Sequence, residues 1–134
     1  IKFNYNNDEI ILNSDNEQLS RVFLNLIKNS IESIQEKLIN NFNFKGIINI
    51  EINNNDDYIE FIIIDNGIGF KNFKNKIKNI LNPYFTTKEK GTGLGLAIVN
   101  KIINDHNGSI NFESLDEGAK IIIKFEKLKW LLKY

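Results

Sequence analysis

The sequence has no cysteine, no methionine, one proline and one histidine among its 134 residues. Without cysteine, disulfide bonds, thiolate catalysis and a thiolate zinc site are all excluded. The 17 basic and 17 acidic residues cancel, so no long-range attraction to nucleic acid or to an anionic membrane is expected. The longest apolar runs, 61–64 and 121–123, are too short to cross a bilayer. We therefore expect a cytoplasmic domain without direct membrane contact.

What is present is typical of a globular domain. Hydrophobic residues make up 42% of the chain and charged residues 25%, close to the average for soluble proteins. The length suits one domain with a real hydrophobic core. We interpret residues 1–134 as a single domain, and the lack of methionine as a sign that it is a fragment of a longer protein. Whether that parent protein is membrane-anchored stays open.

The apolar periodicity predicts a helix over 17–40, capped by Ser14 or Asp15, and a second helix over 94–105. A shorter amphipathic stretch covers 73–81. Strands are predicted at 46–53, 58–65, 109–114 and 119–125, with an N-terminal hairpin formed by 1–5 and 9–12. The fold class is then α+β: a two-layer sandwich in which about three helices cover one face of a mixed, mostly antiparallel sheet.

Two asparagines on the long predicted helix form the first candidate site. Asn25 and Asn29 lie one turn apart, so their amides share a helix face beside the apolar stripe. An amide oxygen is a hard neutral ligand suited to Mg²⁺. The alternative is a pair of solvated polar side chains, and this motif taken alone favours neither interpretation.

A second motif, Asp65-Asn66-Gly67-Ile68-Gly69, follows an apolar strand. A carboxylate there can accept a hydrogen bond from an exocyclic amine such as that of adenine. The glycines allow a sharp turn and a close approach to a flat ring. An ordinary strand-ending turn has the same chemistry.

The third and fourth motifs lie close together. In the segment 82–88, Thr86 and Thr87 precede Lys88, which could meet a terminal phosphate as a point charge. The glycine loop that follows exposes backbone N–H groups at the start of a helix, a natural phosphate cradle. Its residues are Gly91, Thr92, Gly93, Leu94 and Gly95. A P-loop is excluded because no Lys-Ser/Thr pair follows, and the glycine spacing differs from the dinucleotide fingerprint.

In this order the four motifs resemble the N, G1, F and G2 boxes of the GHKL superfamily, in the histidine kinase form with nearly fused F and G2 boxes. The resemblance covers about residues 10–125 and implies a Bergerat-type fold that binds ATP and Mg²⁺. It implies that Asn29 ligates Mg²⁺ beside Asn25, that Asp65 pairs with the adenine amine, and that Lys88 approaches the terminal phosphate. Asn25 and Lys88 are the implied catalytic residues. The remaining implied ATP-binding residues are Gly67, Ile68, Gly69, Thr86, Thr87, Gly91, Thr92, Gly93, Leu94 and Gly95.

The resemblance also implies a role and partners. The domain would present the γ-phosphate of Mg-ATP to a histidine on a separate dimerisation domain, for later transfer to a response-regulator aspartate. Superfamily ATPases carry a glutamate as general base where this chain has Asn25, which favours the kinase branch. The isolated domain is expected to be an inactive monomer and the full-length kinase a homodimer. The alternatives are an anti-sigma-type serine kinase and an inert nucleotide-sensing or scaffold module.

The lone histidine, His106, follows the second predicted helix. A cationic imidazole there is interpreted as a C-terminal cap. The phosphoacceptor histidine is therefore expected outside this sequence.

Overall fold

The computed structural model describes residues 1–5, 10–70 and 95–127. This part of the chain contains two helices, α1 (Asn16–Asn40) and α2 (Gly95–Asp105). Its strands are β1 (Lys2–Tyr5), β2 (Ile48–Asn54), β3 (Tyr58–Asp65), β4 (Gly108–Ser114) and β5 (Ala119–Glu126). The predicted helices and strands are therefore confirmed within two residues at each end, whereas the helix predicted over 73–81 lies outside the described residues.

The five strands form one sheet in the order β1-β2-β3-β5-β4. The pairs β2–β3, β3–β5 and β4–β5 are antiparallel, and β1 pairs in parallel with β2. The prediction of a mixed, mostly antiparallel sheet is confirmed. The N-terminal hairpin is wrong, because residues 10–12 are not in a strand and β1 instead aligns Tyr5 with Ile52 of β2. A parallel pair needs a long crossover connection, and here the chain passes through α1 between the two strands.

Both described helices pack on one face of the sheet, which confirms the two-layer sandwich. The core combines apolar side chains from α1 and α2 with the inward-facing positions of β2, β3 and β5. On α1 the buried positions recur with helical spacing and are Leu19, Val22, Leu26, Ser30 and Ile34. On β5 every second residue is buried, as expected for a strand with one face on a core. Within residues 1–5, 10–70 and 95–127, no helix is long and apolar enough to cross a membrane.

The two helices run in opposite directions, and a histidine joins the N-terminal end of α1 to the C-terminal end of α2. Asp15 is the N-cap of α1, where its Oδ1 accepts from the Gln18 N–H at 3.1 Å. The backbone N–H of Asp15 donates to Nε2 of His106 at 3.1 Å, and Nδ1 of His106 lies 2.7 Å from the Ile102 carbonyl oxygen. Both contacts are hydrogen bonds only in a neutral ring with its hydrogen on Nδ1. The prediction that His106 caps the C-terminal end of α2 is confirmed by its contact with the Ile102 carbonyl, whereas a cationic ring does not fit the hydrogen bond from Asp15.

Candidate functional site

Asp65 is a buried carboxylate at the end of an apolar strand. It is the last residue of β3, only 4% exposed, and lies between Ile48 of β2 and Ala119 of β5. Because side chains alternate along a strand, Asp65 faces the helices as Ile59 and Ile63 do. A charged group at this position needs hydrogen-bond donors from its surroundings.

Hydrogen-bond donors reach the Asp65 carboxylate from α1 and from the loop after β3. The Ser30 hydroxyl of α1 donates to Asp65 Oδ2 at 3.0 Å, and the Gly67 N–H donates to Oδ1 at 3.0 Å. Burial raises the pKa of Asp65 above its ordinary value of 3.8, while hydrogen bonds from Gly67, Ser30 and the Ala119 backbone, and the positive charge of Lys37, act in the opposite direction. The carboxylate is thus held in place by donors inside an environment that disfavours its charge.

Close glycine contacts position the loop that follows Asp65. A Cβ atom on Gly67 would clash with the Ser33 hydroxyl and would lie 2.6 Å from the Ser33 backbone carbon, so this loop presses directly on the α1 backbone. Gly69 has φ 64° and Gly118 has φ 104°, both in the region that favours glycine. A Cβ on either residue would collide with backbone oxygen, from Gly118 and Asp65 respectively. These glycines therefore serve contacts within the protein, and close approach to a flat ring stays a prediction.

Asn66 acts structurally. Its Oδ1 accepts from the Ile47 N–H at 2.7 Å, and its Nδ2 donates to the Lys45 carbonyl at 3.0 Å. The Lys37 ammonium donates to the Asn66 carbonyl at 2.9 Å and lies 4.3 Å from the centre of the Phe44 ring. The loop end of β3 is thereby tied both to the segment before β2 and to α1. The interpretation of Asp-Asn-Gly as turn chemistry fits these contacts, and its role in ligand binding stays a prediction.

The predicted metal-binding motif on α1 reaches the same region. Asn25 and Asn29 are both half-buried, and Asn29 directly precedes the Ser30 that binds Asp65. Asn25 Nδ2 donates to the Arg21 carbonyl at 3.0 Å. A Cβ on Gly95 would lie 3.4 Å from Asn25 Oδ1, so the start of α2 lies beside this amide. The structure therefore brings together the first motif, the second motif and the last glycine of the fourth.

The other predicted residues fall into two groups. Ile68 is half-buried, and its backbone N–H donates to the Ser33 carbonyl at 3.3 Å, so it fixes the loop to α1. The predicted phosphate-binding residues lie outside the described residues: Thr86, Thr87, Lys88, Gly91, Thr92, Gly93 and Leu94. In the described part of the chain, no group of three or more His, Asp or Glu side chains could hold a metal ion.

Three residues around the site were missed by reasoning from the sequence. Ser30, Ser33 and Gly118 each contact the segment 65–69. For Ser30 a signal existed: it occupies a polar position on the stripe between Leu26 and Ile34. A polar residue on a buried stripe requires a partner, and the carboxylate at the end of a buried strand is one.

Comparison with known proteins shows the family of the chain. The family model described as "Histidine kinase-, DNA gyrase B-, and HSP90-like ATPase" matches residues 14–129. The chain is 37% identical over 128 residues to sporulation kinase A of Bacillus subtilis, covering 95% of this chain and 20% of that kinase. It is 38% identical over 133 residues to a putative sensor histidine kinase NtrY-like of Rickettsia felis, covering 98% and 21%. The chain thus spans about a fifth of the length of each.

A solved structure is similar as well. The nucleotide-free catalytic domain of the histidine kinase ThkA superposes with a TM-score of 0.76 at 29% identity, covering 94% of this chain and 77% of that one. The chain therefore has the fold of a histidine kinase catalytic domain. The buried carboxylate lies within this fold.

Proposed function

The chain belongs to the family of histidine kinase-, DNA gyrase B- and HSP90-like ATPases, and from this premise we propose that it is the ATP-binding catalytic domain of a two-component sensor histidine kinase. In this role it holds Mg-ATP and presents the γ-phosphate to a histidine on a separate dimerisation domain of the same kinase. A response-regulator aspartate receives the phosphoryl group afterwards. Similarity to two relatives named as kinases supports this branch of the family.

The observation that carries the proposal is the buried carboxylate of Asp65. An acceptor that is 4% exposed, held by Ser30 and Gly67, and located where β3 meets α1 is suited to one directed hydrogen bond from a bound base. In an apolar environment such a bond discriminates strongly, because a ligand without the donor leaves the carboxylate with an unmet acceptor. An exocyclic amine, as in adenine, supplies the required donor.

The amides of α1 support phosphoryl transfer rather than ATP hydrolysis. Asn25 lies beside the start of α2, and an amide cannot take a proton from water, so no general base is available at that position. Amide oxygens from Asn25 and Asn29 also fit Mg²⁺, an ion that usually keeps its waters and phosphate oxygens as further ligands. In our proposal Asn29 would hold the ion, which would supply positive charge beside the phosphates.

We assign the phosphate contacts to the segment 86–95. Lys88 meets the terminal phosphate, with Thr86 and Thr87 beside it, and the backbone of 91–95 wraps the phosphate chain. Positioning and charge neutralisation then provide most of the rate enhancement. His106 is unsuited as phosphoacceptor because both of its ring nitrogens contact backbone groups, so the acceptor histidine belongs to the partner domain.

Calorimetric titration of the chain with ADP, with a non-hydrolysable ATP analogue and with GDP tests this proposal. We expect binding of both adenine nucleotides, tighter with Mg²⁺ than without it, and no measurable GDP binding under the same conditions. Equal binding of ADP and GDP, or no adenine nucleotide binding at millimolar concentrations, would contradict it.

A further inference from the structure

Ser30 is the one polar position on the buried stripe of α1, and it is 2% exposed. A serine within an apolar stripe is costly unless its hydroxyl is hydrogen-bonded. Here the hydroxyl donates to Asp65 Oδ2 at 3.0 Å, across 35 residues of sequence. The side chain thus has a directed contact with the group that we assign to base recognition.

Two protein donors take up about half of the acceptor positions of Asp65. An ionised carboxylate has about four acceptor positions on its two oxygens. The Ser30 hydroxyl donates to Oδ2 and the Gly67 N–H donates to Oδ1, so each oxygen receives one hydrogen bond from the protein. About two acceptor positions remain for a ligand, and both protein donors favour the ionised form, which can only accept.

We propose that Ser30 is a positioning and specificity-determining residue, whose hydroxyl holds Asp65 as a pure acceptor that accepts a 6-amino purine and rejects a 6-oxo purine. The proposal rests on the assignment of the adenine nucleotide site above. A 6-amino purine donates to one of the remaining acceptor positions. A 6-oxo purine presents an oxygen there instead, and two acceptors facing each other in a buried site repel.

Protonation of Asp65 would reverse this preference, since a protonated carboxyl can donate to a 6-oxo group. Lys37 on α1 is the positive charge that acts on Asp65, and it also lies 3.8 Å from Glu117. The neighbouring strands place uncharged Ile48 and Ala119 opposite Asp65. Loss of the Ser30 donor therefore shifts the balance towards the protonated form, and purine selectivity weakens as the pH falls.

The test compares the dissociation constants of ADP and inosine diphosphate, which differ at the 6-position of the base. The parent chain, Ser30→Ala, Ser30→Thr and a matched control are titrated calorimetrically at about pH 8 and about pH 5.5. Ser109→Ala is the control, because Ser109 is exposed on β4. Thermal unfolding checks that each variant folds. If Ser30→Ala does not fold, Ser30→Cys replaces it, because its thiol is a weaker donor of similar size.

We expect Ser30→Ala to lower the preference for ADP over inosine diphosphate about tenfold, with the larger drop at the lower pH. Ser30→Thr, which keeps the hydroxyl, should restore the preference, and Ser109→Ala should match the parent. A Ser30→Ala variant that weakens both nucleotides equally, or shows the parent's preference at both pH values, would overturn the inference while the proposed function stands. A parent chain that binds neither nucleotide would overturn both.

Discussion

Gly118 offers a strong test of how the site is assembled, because it is remote in sequence from the motifs yet touches Asp65. Its φ of 104° is unfavourable for any residue with a Cβ atom. A Cβ built there would collide with the Asp65 carbonyl oxygen and would lie 2.8 Å from Cα of Asn66. These neighbours are backbone atoms, which cannot rotate away as a side chain can. The variant Gly118→Ala must therefore displace either β5 or the end of β3.

The cost can be worked from these two effects. Backbone strain in the left-handed region costs about 1–2 kcal/mol, and overpacking costs about 1–3 kcal/mol. Gly118→Ala should therefore lower the free energy of unfolding by roughly 2–5 kcal/mol, out of the roughly 5–15 kcal/mol typical of a domain. The protein that remains folded should bind ADP more weakly, because the displaced backbone carries the carboxylate.

Urea denaturation measures the first effect and calorimetric titration with ADP the second. Gly46→Ala is the matched control, since the nearest atoms to a Cβ there belong to the Ile34 side chain and Gly46 lacks the positive φ of Gly118. We expect the control to lose clearly less stability than Gly118→Ala and to keep the parent's affinity for ADP. If the two variants lose the same stability, or if Gly118→Ala binds ADP like the parent, the reasoning about this contact is refuted.

Three further predictions concern stability. Burial raises the pKa of Asp65 above 3.8. Its contribution to the free energy of unfolding is therefore greatest at acid pH and is lost as the pH rises from 3.8 through the raised pKa. Urea unfolding of Asp65→Asn across this pH range should lack that pH dependence, and identical pH profiles for parent and variant would contradict the prediction. His106→Ala should lower the free energy of unfolding by about 1–2 kcal/mol, because the hydrogen bonds between the helix ends are lost. The affinity for ADP should stay unchanged, and a loss of affinity in calorimetry would count against a purely structural role. Asn66→Ala should lose about 1–3 kcal/mol, because a partly buried N–H of Ile47 loses its acceptor; a thermal unfolding midpoint equal to the parent's would show that water replaces it.

Local patterns in the sequence predicted most of the fold. The helical stripe of α1 and the strands β3 and β5 all follow from short-range periodicity. The parallel pairing of β1 with β2 could not be predicted this way, because it joins segments separated by a 25-residue helix. The hydrogen bond between His106 and the backbone N–H of Asp15 could not be predicted either, because the two residues are far apart in the sequence.

For the candidate site, the motifs named the residues but did not reveal what holds them. Asp65 and Asn29 were predicted from their chemistry, whereas the contact between Ser30 and Asp65 spans two elements and appears only when α1 packs on β3. The glycines were predicted to face a ligand. The structure shows that Gly67 packs against α1 and that Gly69 packs against Gly118. Packing within the protein therefore already requires the absence of a side chain at both positions.

The measurement that tests the central claim most directly is the affinity of Asp65→Asn for ADP, with Asp105→Asn as control. Asp105 is an exposed carboxylate 2.8 Å from Lys101 on α2, so its loss leaves the site intact. A lost hydrogen bond to a charged acceptor is worth about 1.5–3 kcal/mol, so Asp65→Asn should bind ADP roughly 10- to 150-fold more weakly. The control should bind like the parent chain. Parent-like ADP affinity in a folded Asp65→Asn variant would contradict the assignment of this carboxylate to adenine recognition.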